Sequence, residues 1–363
     1  MKTYMTAGAA LLLSTTIATA GGLDRSGQGV GVIFEDGDYA ELSFGSVMPS
    51  VSGTTTPLLG PLLGGAPSGN IAPRYTQVGL AYKSQLNDQL SVGVIFDQPF
   101  GADVNYDTEG YVLDGALASV ESSSLTALVR YEINSSFSVH GGLRYLSANG
   151  VYQVPEVSDL DGPGPAEPTP GYASTYSTGN GTGFVAGAAF ERDDIAMRLA
   201  LTYSSGIELS TLDGTVGDLN TTLPESINLD FQTGIAADTL LFGSVRYVAW
   251  DCFALTDTFA GDILTYDADV TTYNIGVGRR LSDNLAASFS IGYEESTGDV
   301  TGNLGPTDGF MSYQIGAAYT MESGVEISGG VRYVNIGDAT TTIGSSFSDN
   351  SAIGIGLKVA YTY

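Results

Sequence analysis

Few side chains in this sequence are equipped for covalent chemistry. There is one histidine, His140, and one cysteine, Cys252. A Ser/His/acid nucleophile would have to be built on His140, which sits beside serines in a segment of alternating polarity. A lone histidine in that setting is more often a hydrogen-bonding side chain than a general base. Cys252 has no partner for an internal disulfide, and one cysteine with one histidine leaves little material for a zinc site. Glu156, Asp159, Asp161 and Glu167 share a Pro/Gly-rich stretch, but without EF-hand spacing they read as a solvated acidic loop. Gly181-Thr182-Gly183 and Gly354-Ile355-Gly356 open no helix, so they read as strand glycines rather than phosphate loops. The expectation is no catalytic residue, no metal and no cofactor.

The cations carry a clearer signal. An apolar-Arg-Tyr pattern recurs at Val129-Arg130-Tyr131, Leu143-Arg144-Tyr145, Val245-Arg246-Tyr247 and Val331-Arg332-Tyr333. On a strand, alternation sends each tyrosine to the apolar face and each arginine to the other. Arg198 and Lys358 obey the same parity. Arg144, Arg246 and Arg332 fall at similar distances from one end of their strands. A desolvated guanidinium seeks a carboxylate, so these three could meet a ligand headgroup or pair with an inward acid such as Asp230 or Glu326. The internal pair is the more ordinary role for any one of them.

Such arginines must be positioned by strands. The C-terminal Ile353, Ile355, Leu357, Val359, Tyr361 and Tyr363 alternate without a break with small or polar neighbours, the period of a strand with two unlike faces. Segments of the same kind recur at 39–52, 74–84, 89–101, 122–133, 136–148, 179–191, 194–207, 223–233, 239–251, 270–281, 285–297, 309–320, 325–337 and 351–363. Tight turns such as Asn87-Asp88 and Ser282-Asp283-Asn284 alternate with seven longer stretches, at 53–73, 102–121, 149–178, 208–222, 252–269, 298–308 and 338–350. Short turns at one end and long loops at the other are the pattern of an outer-membrane barrel. The fold class expected is all-β: a transmembrane antiparallel β-barrel of about 14 strands with a short N-terminal plug. Inward arginines fit, because a base facing lipid near the midplane costs about 2–4 kcal/mol. Trp250 and the tyrosines near strand ends read as an interfacial aromatic girdle.

Composition agrees. Charged residues make up 15 % of the chain, against about 25 % in soluble domains. Acids outnumber bases 40 to 13, for a net charge of −27, and no Lys/Arg cluster exists, which excludes nucleic acid as a partner. Residues 1–20 have a positive start at Lys2, an apolar stretch and Ala18-Thr19-Ala20, the form of a cleaved signal peptide. The chain then divides into a signal peptide at 1–20, a plug or hatch at 21–38 and a barrel at 39–363. It is expected in the outer membrane of a Gram-negative bacterium as a monomer with both termini periplasmic. Outer-membrane lipid and lipopolysaccharide would surround it, and the final aromatic strand would be read by the barrel assembly machinery.

Three stretches resemble the FadL-type outer-membrane transporters of long-chain fatty acids and other hydrophobic compounds. Pro99-Phe100-Gly101, at the end of the third strand, is similar to the family's Pro-Phe-Gly signature. Leu223-Pro224-Glu225-Ser226-Ile227, followed by a strand and then Tyr247 and Trp250, is similar to its Leu-Pro start and distant aromatic-x-x-Trp. Residues 21–38 lie where the family keeps its hatch, although the Asn-Pro-Ala of many hatches is absent and apolar Val32-Ile33-Phe34 stands in the region instead.

The resemblance implies a route. A long-chain fatty acid or similar hydrophobic molecule would meet an apolar groove of external loops, enter a lumen pocket above the hatch and leave sideways at a kinked third strand. Leu58, Leu59, Leu62 and Leu63 make the first long loop unusually apolar, fit for a hydrophobic ligand or for packing against neighbouring loops. Pro99 beside Gly101 suits a kink or ordinary strand termination equally. The competing expectations are a general diffusion porin for small polar solutes and a structural or adhesive barrel.

Overall fold

The structure, a computed structural model, describes residues 22–55, 65–156 and 170–363. The expected signal peptide and Leu58, Leu59, Leu62 and Leu63 lie outside the described residues. Fourteen antiparallel strands close into a barrel. They are β1 (Tyr39–Ser50), β2 (Tyr75–Asn87), β3 in two pieces (Leu90–Asp97 and Gly101–Asn105), β4 (Leu117–Glu132), β5 (Phe137–Val154), β6 (Tyr172–Arg192) and β7 (Met197–Ser204). The chain continues through β8 (Ser226–Ala236), β9 (Thr239–Val248), β10 (Val270–Arg280), β11 (Leu285–Glu294), β12 (Phe310–Thr320), β13 (Val325–Ile336) and β14 (Ser351–Thr362). Each strand pairs with its sequence neighbours, and β1 closes the ring on β14 with Tyr39 opposite Thr362 and Ser50 opposite Ser351.

Alternation sets the two faces. Leu125, Val129 and Tyr131 of β4 and Ile353, Ile355, Leu357 and Val359 of β14 stand outward and exposed, while Thr126, Arg130, Arg144, Arg246 and Arg332 point in and are buried. Such an outer surface is stable only against lipid, which solvates apolar side chains and rejects unpaired backbone; a closed ladder leaves no edge except where a strand breaks. Arg279 shares the outward parity of Val277 but lies one residue from the end of β10, where the penalty for a base falls away.

Two departures from the expected strands matter. First, β4, β5 and β6 run on past the lipid band; β6 has 21 residues, where about 9–11 suffice for a membrane strand. Their ends carry a cap of two small sheets. One joins Ile207–Glu208, Leu219–Leu223, Ala254–Asp257 and Gly261–Thr265; the other joins Val300–Thr301, Ala339–Thr341, Ser345–Phe347 and Gly53–Thr55. Asp257 ties the first to β6, accepting hydrogen bonds from the Tyr172 and Tyr176 hydroxyls (2.6 and 2.8 Å) and from the amides of Phe259 and Ala260. Burial alone would raise its carboxyl, but these donors outweigh it and hold it below the usual carboxylate range.

Second, β3 is broken. Leu90–Asp97 pairs with both β2 and β4, whereas Gly101–Asn105 pairs with β4 alone. The register of β2 with β3 stops at Leu80 opposite Phe96, so Tyr75–Gly79 has β1 on one side and, among the described residues, no strand on the other. Pro99 contributes no N–H, and Phe100 turns its own amide and carbonyl to the Ser122 hydroxyl (2.9 and 2.6 Å). The ladder therefore detours for three residues before it resumes.

Candidate functional site

Residues 22–38 thread the barrel interior, and the barrel's inward polar groups hold them there. Asp24 accepts from the Arg246 guanidinium, both side chains being under 10 % exposed. Arg246 also reaches Ser226, Asn228 and the Gln28 amide oxygen (3.1, 2.7 and 3.2 Å). Arg144 donates to Thr126, Ser204 and the Gln28 carbonyl (2.8, 3.3 and 3.4 Å). Arg332 donates to Ser312 at 2.8 Å and stands 5.7 Å from the Phe310 ring. The three arginines nominated together are thus divided: Arg144 and Arg246 grip the N-terminal segment, and Arg332 does not join them. The acid against Arg246 is Asp24, whereas the inward acids expected from parity were Asp230 and Glu326.

Val32, Ile33 and Phe34 lie in a 3₁₀ turn, Gly31–Phe34, and are buried. Their cluster includes Ala81, Ile95, Leu128, Val185 and Ala200 from the barrel wall. The Phe34 ring lies 5.0 Å from the Arg130 guanidinium and 4.9 Å from that of Arg198, a cation–π arrangement suited to a lumen rich in arginine. His140 meets its edge at 5.3 Å and bonds Thr202 at 2.9 Å. Lys83 clamps the end of the segment through the Glu35 and Gly37 carbonyls (2.7 and 2.9 Å).

The segment and the break in β3 meet directly. The Arg25 amide donates to the Pro99 carbonyl at 2.7 Å, and the Gly101 amide donates to the Leu23 carbonyl at 2.8 Å. The Arg25 guanidinium bonds Asp103 at 2.9 Å and lies 4.1 Å over the Tyr75 ring. It fills the space beside Gly101 so closely that a Cβ there would fall 2.7 Å from its central carbon. Phe100 is buried edge-on against Trp250, with ring centroids 6.1 Å apart. Trp250 is fully buried beneath Gly22 and packs on Phe253 and Tyr266. The girdle reading of Trp250 is therefore corrected: it occupies a 3₁₀ turn, Trp250–Cys252, just after β9, and strand parity no longer governs where it points.

Cavities lie along the N-terminal segment and near this junction. Above it, on the loop side, lies one of about 130 Å³ floored by Gly22 and Leu23, with Ala102, Val104, Leu264 and Leu304 in its walls. Those four and Leu23 also line a neighbouring space of about 50 Å³ that is almost wholly apolar, with Leu209, Leu212, Leu219 and Leu223. Burial raises the phenol of Tyr266 in the upper wall, and nearby Glu294 adds to the effect. A third cavity, about 180 Å³, sits in the wall between Gln77–Ala81 and Ile95–Gln98, beside exposed, lipid-facing Phe44, Val78 and Leu80. There the Gln98 side-chain oxygen accepts the Val78 amide at 2.9 Å, taking the place of the missing strand. The fourth, about 200 Å³, lies by Gly29–Phe34 among Glu35, Glu41, Arg198, Asp230 and Lys358.

Pro99, Phe100 and Gly101 thus meet Leu23 and Arg25 at one junction, whereas Val32, Ile33 and Phe34 pack in a separate cluster against Ala81, Ile95 and Leu128. Sequence reading missed Leu23, Asp24, Arg25, Gln28 and Gln98. The one local hint was Asp24-Arg25, a charged pair in a segment with no other charge before Glu35.

The chain is similar to known proteins along nearly its whole length. Residues 45–363 match the profile of a family described as outer membrane protein transport protein (OMPP1/FadL/TodX). Among solved structures it is similar to a Pseudomonas aeruginosa FadL homologue, with a TM-score of 0.73, 15 % identity and 91 % of each chain covered. The P. putida toluene transporter TodX aligns with a TM-score of 0.66, 13 % identity and 92 % of each chain. The Ralstonia pickettii toluene transporter TbuX gives 0.62 and 12 %, over 91 % of this chain and 90 % of that one. These identities establish a shared fold. No curated protein sequence matches the chain.

Proposed function

The chain belongs to the outer membrane protein transport protein family (OMPP1/FadL/TodX), which carries hydrophobic compounds across the outer membrane, and from that premise we propose a route through this barrel. Its long-loop end faces outward and both termini face the periplasm. A hydrophobic molecule enters through the loop cap, rests in the apolar cavities above Gly22 and Leu23, and leaves sideways into lipid between β2 and β3. Residues 22–38 act as the hatch that turns it aside.

One observation carries this reading: the strand-free edge of Tyr75–Gly79, with a wall cavity behind it and lipid-facing apolar residues in front. An axial exit is opposed by chemistry. The cavity by Gly29–Phe34 shares Glu41 and Lys358 with the wall cavity and adds Glu35, Arg198 and Asp230, further groups a hydrocarbon would have to strip of their polar partners. The toluene transporters among the similar structures support a hydrophobic cargo of modest size.

The test is a staple across the gap. Gln77 donates its side-chain amide to the Gln98 carbonyl, so the two positions face each other across the gap, and Gln77→Cys/Gln98→Cys, in a Cys252→Ser background because Cys252 is exposed, can be joined by a short bis-methanethiosulfonate cross-linker. Cross-linked protein is expected to lose most uptake of a labelled alkylbenzene and to recover it on reduction. Full uptake by fully cross-linked protein would overturn the lateral exit.

A further inference from the structure

We propose that the molecule this channel carries is uncharged, and that the barrel rejects hydrophobic molecules bearing a carboxylate; the inference rests on the channel reading above and specifies its cargo. The observation is that the entry side is almost bare of cations: Arg74, just ahead of β2, donates to the Ser46 hydroxyl at 2.9 Å, and beyond it the long connections are acidic as a set. The seven long connections, 53–73, 102–121, 149–178, 208–222, 252–269, 298–308 and 338–350, contain twenty Asp and Glu residues and no Lys or Arg.

The cavities repeat that bias at close range. Among the described residues no base lines the larger upper cavity, while Asp103, Asp267, Asp299 and Asp308 do. The adjoining space has no charged residue among the described residues of its walls. Arg25, below the floor, is engaged by Asp103 and the Tyr75 ring. Arg144 and Arg246 are turned to the N-terminal segment, and Arg332 lines neither upper cavity. A carboxylate drawn into this site would lose water, gain no counter-ion and face like charges. An alkyl chain or an aromatic ring loses nothing by entering and gains apolar contact with Leu23, Val104 and Leu264.

Three probes of equal length separate the cases: bromododecanol, bromododecanoate and bromododecyl-trimethylammonium, each brominated at the tail. The chain has a single tryptophan, and Trp250 lies 5.1 Å from Tyr266, which lines the cavity. Bromine entering the site therefore quenches one reporter. Titrations use purified full-length protein in nanodiscs at mildly alkaline pH, with protein-free discs correcting for partition into lipid. The alcohol is expected to bind about tenfold or more tighter than the carboxylate. The double variant Asp267→Asn/Asp299→Asn is expected to narrow that ratio by improving carboxylate binding, a gain that misfolding cannot mimic. Carboxylate binding equal to or tighter than alcohol binding overturns the inference and leaves the channel reading standing, as does preferential binding of the ammonium probe. Quenching by none of the three overturns the pocket itself, and the inference with it.

Discussion

Gly101 and Asp24 are the residues on which the junction turns. Gly101 has no side chain because the Arg25 guanidinium occupies the place a Cβ would take. Asp24 is the counter-ion that lets Arg246 be buried. Removing one partner of a buried pair leaves a desolvated charge and costs on the order of 3 kcal/mol. Asp24→Asn is therefore expected to loosen residues 22–38 while the closed strand ladder keeps the barrel intact. Planar-bilayer recordings would detect this as a larger and noisier conductance than wild type. A conductance indistinguishable from wild type would mean that the pair does not hold the segment. Sequence parity correctly sent Arg246 inward but could not identify its partner, which is 222 positions away.

At the scale of elements, the loop cap and the broken strand each rest on a few side chains replacing absent backbone partners. Gln98 does so for the Val78 amide. Gln98→Ala should raise the hydrogen-exchange rate of Val78 selectively, while Ala81, paired across the intact ladder with Ile95, keeps its protection. Asp257 does so for the cap. Its folded-state carboxyl is held below the ordinary range, so its contribution is fully present above the unfolded value of about 3.9 and is lost as pH falls through the lower folded value. Acid should thus release the amides of Phe259 and Ala260 to exchange before the barrel strands open. Asp257→Asn should produce the same release at neutral pH; protection that survives both changes would exclude the anchoring role. The strands themselves were legible because period-two alternation is a local property. The detour at Gln98–Phe100 was half legible: Pro99 announced an irregularity, but whether the chain stopped or resumed depended on β4, which continues to pair with Gly101–Asn105.

For the molecule as a whole, the distribution of charge matters more than its sum. A net charge of −27 says little about cargo until the fold brings the strand ends that carry the long connections to one side, where acids far outnumber bases. That field repels anions before any contact and is screened by salt. Raising ionic strength from about 0.01 M to about 0.15 M shortens the screening length from about 30 Å to about 8 Å. The association rate of bromododecanoate should rise severalfold over that range in stopped-flow quenching of Trp250, while that of bromododecanol stays flat. Equal responses of the two probes would show that the loops do not act as a charge filter.

What the sequence by itself determined is what repeats or is near in the chain: the fourteen spans, their two faces, the inward arginines, the alternation of short and long connections, and the Pro-Phe-Gly irregularity. Each follows from the pleat of a strand and from the cost of placing polar groups in lipid. The tertiary structure alone decided how distant pieces meet. It brought Asp24 to Arg246, Arg25 to Gly101 and Asp103, and Gly22 over Trp250. It also turned Trp250 from the interface to the interior. These contacts join residues 22–25 to residues 101–103 and 246–250, and no local pattern encodes them. They exist because closing the ring confines the N-terminal segment among buried polar groups that it helps to satisfy.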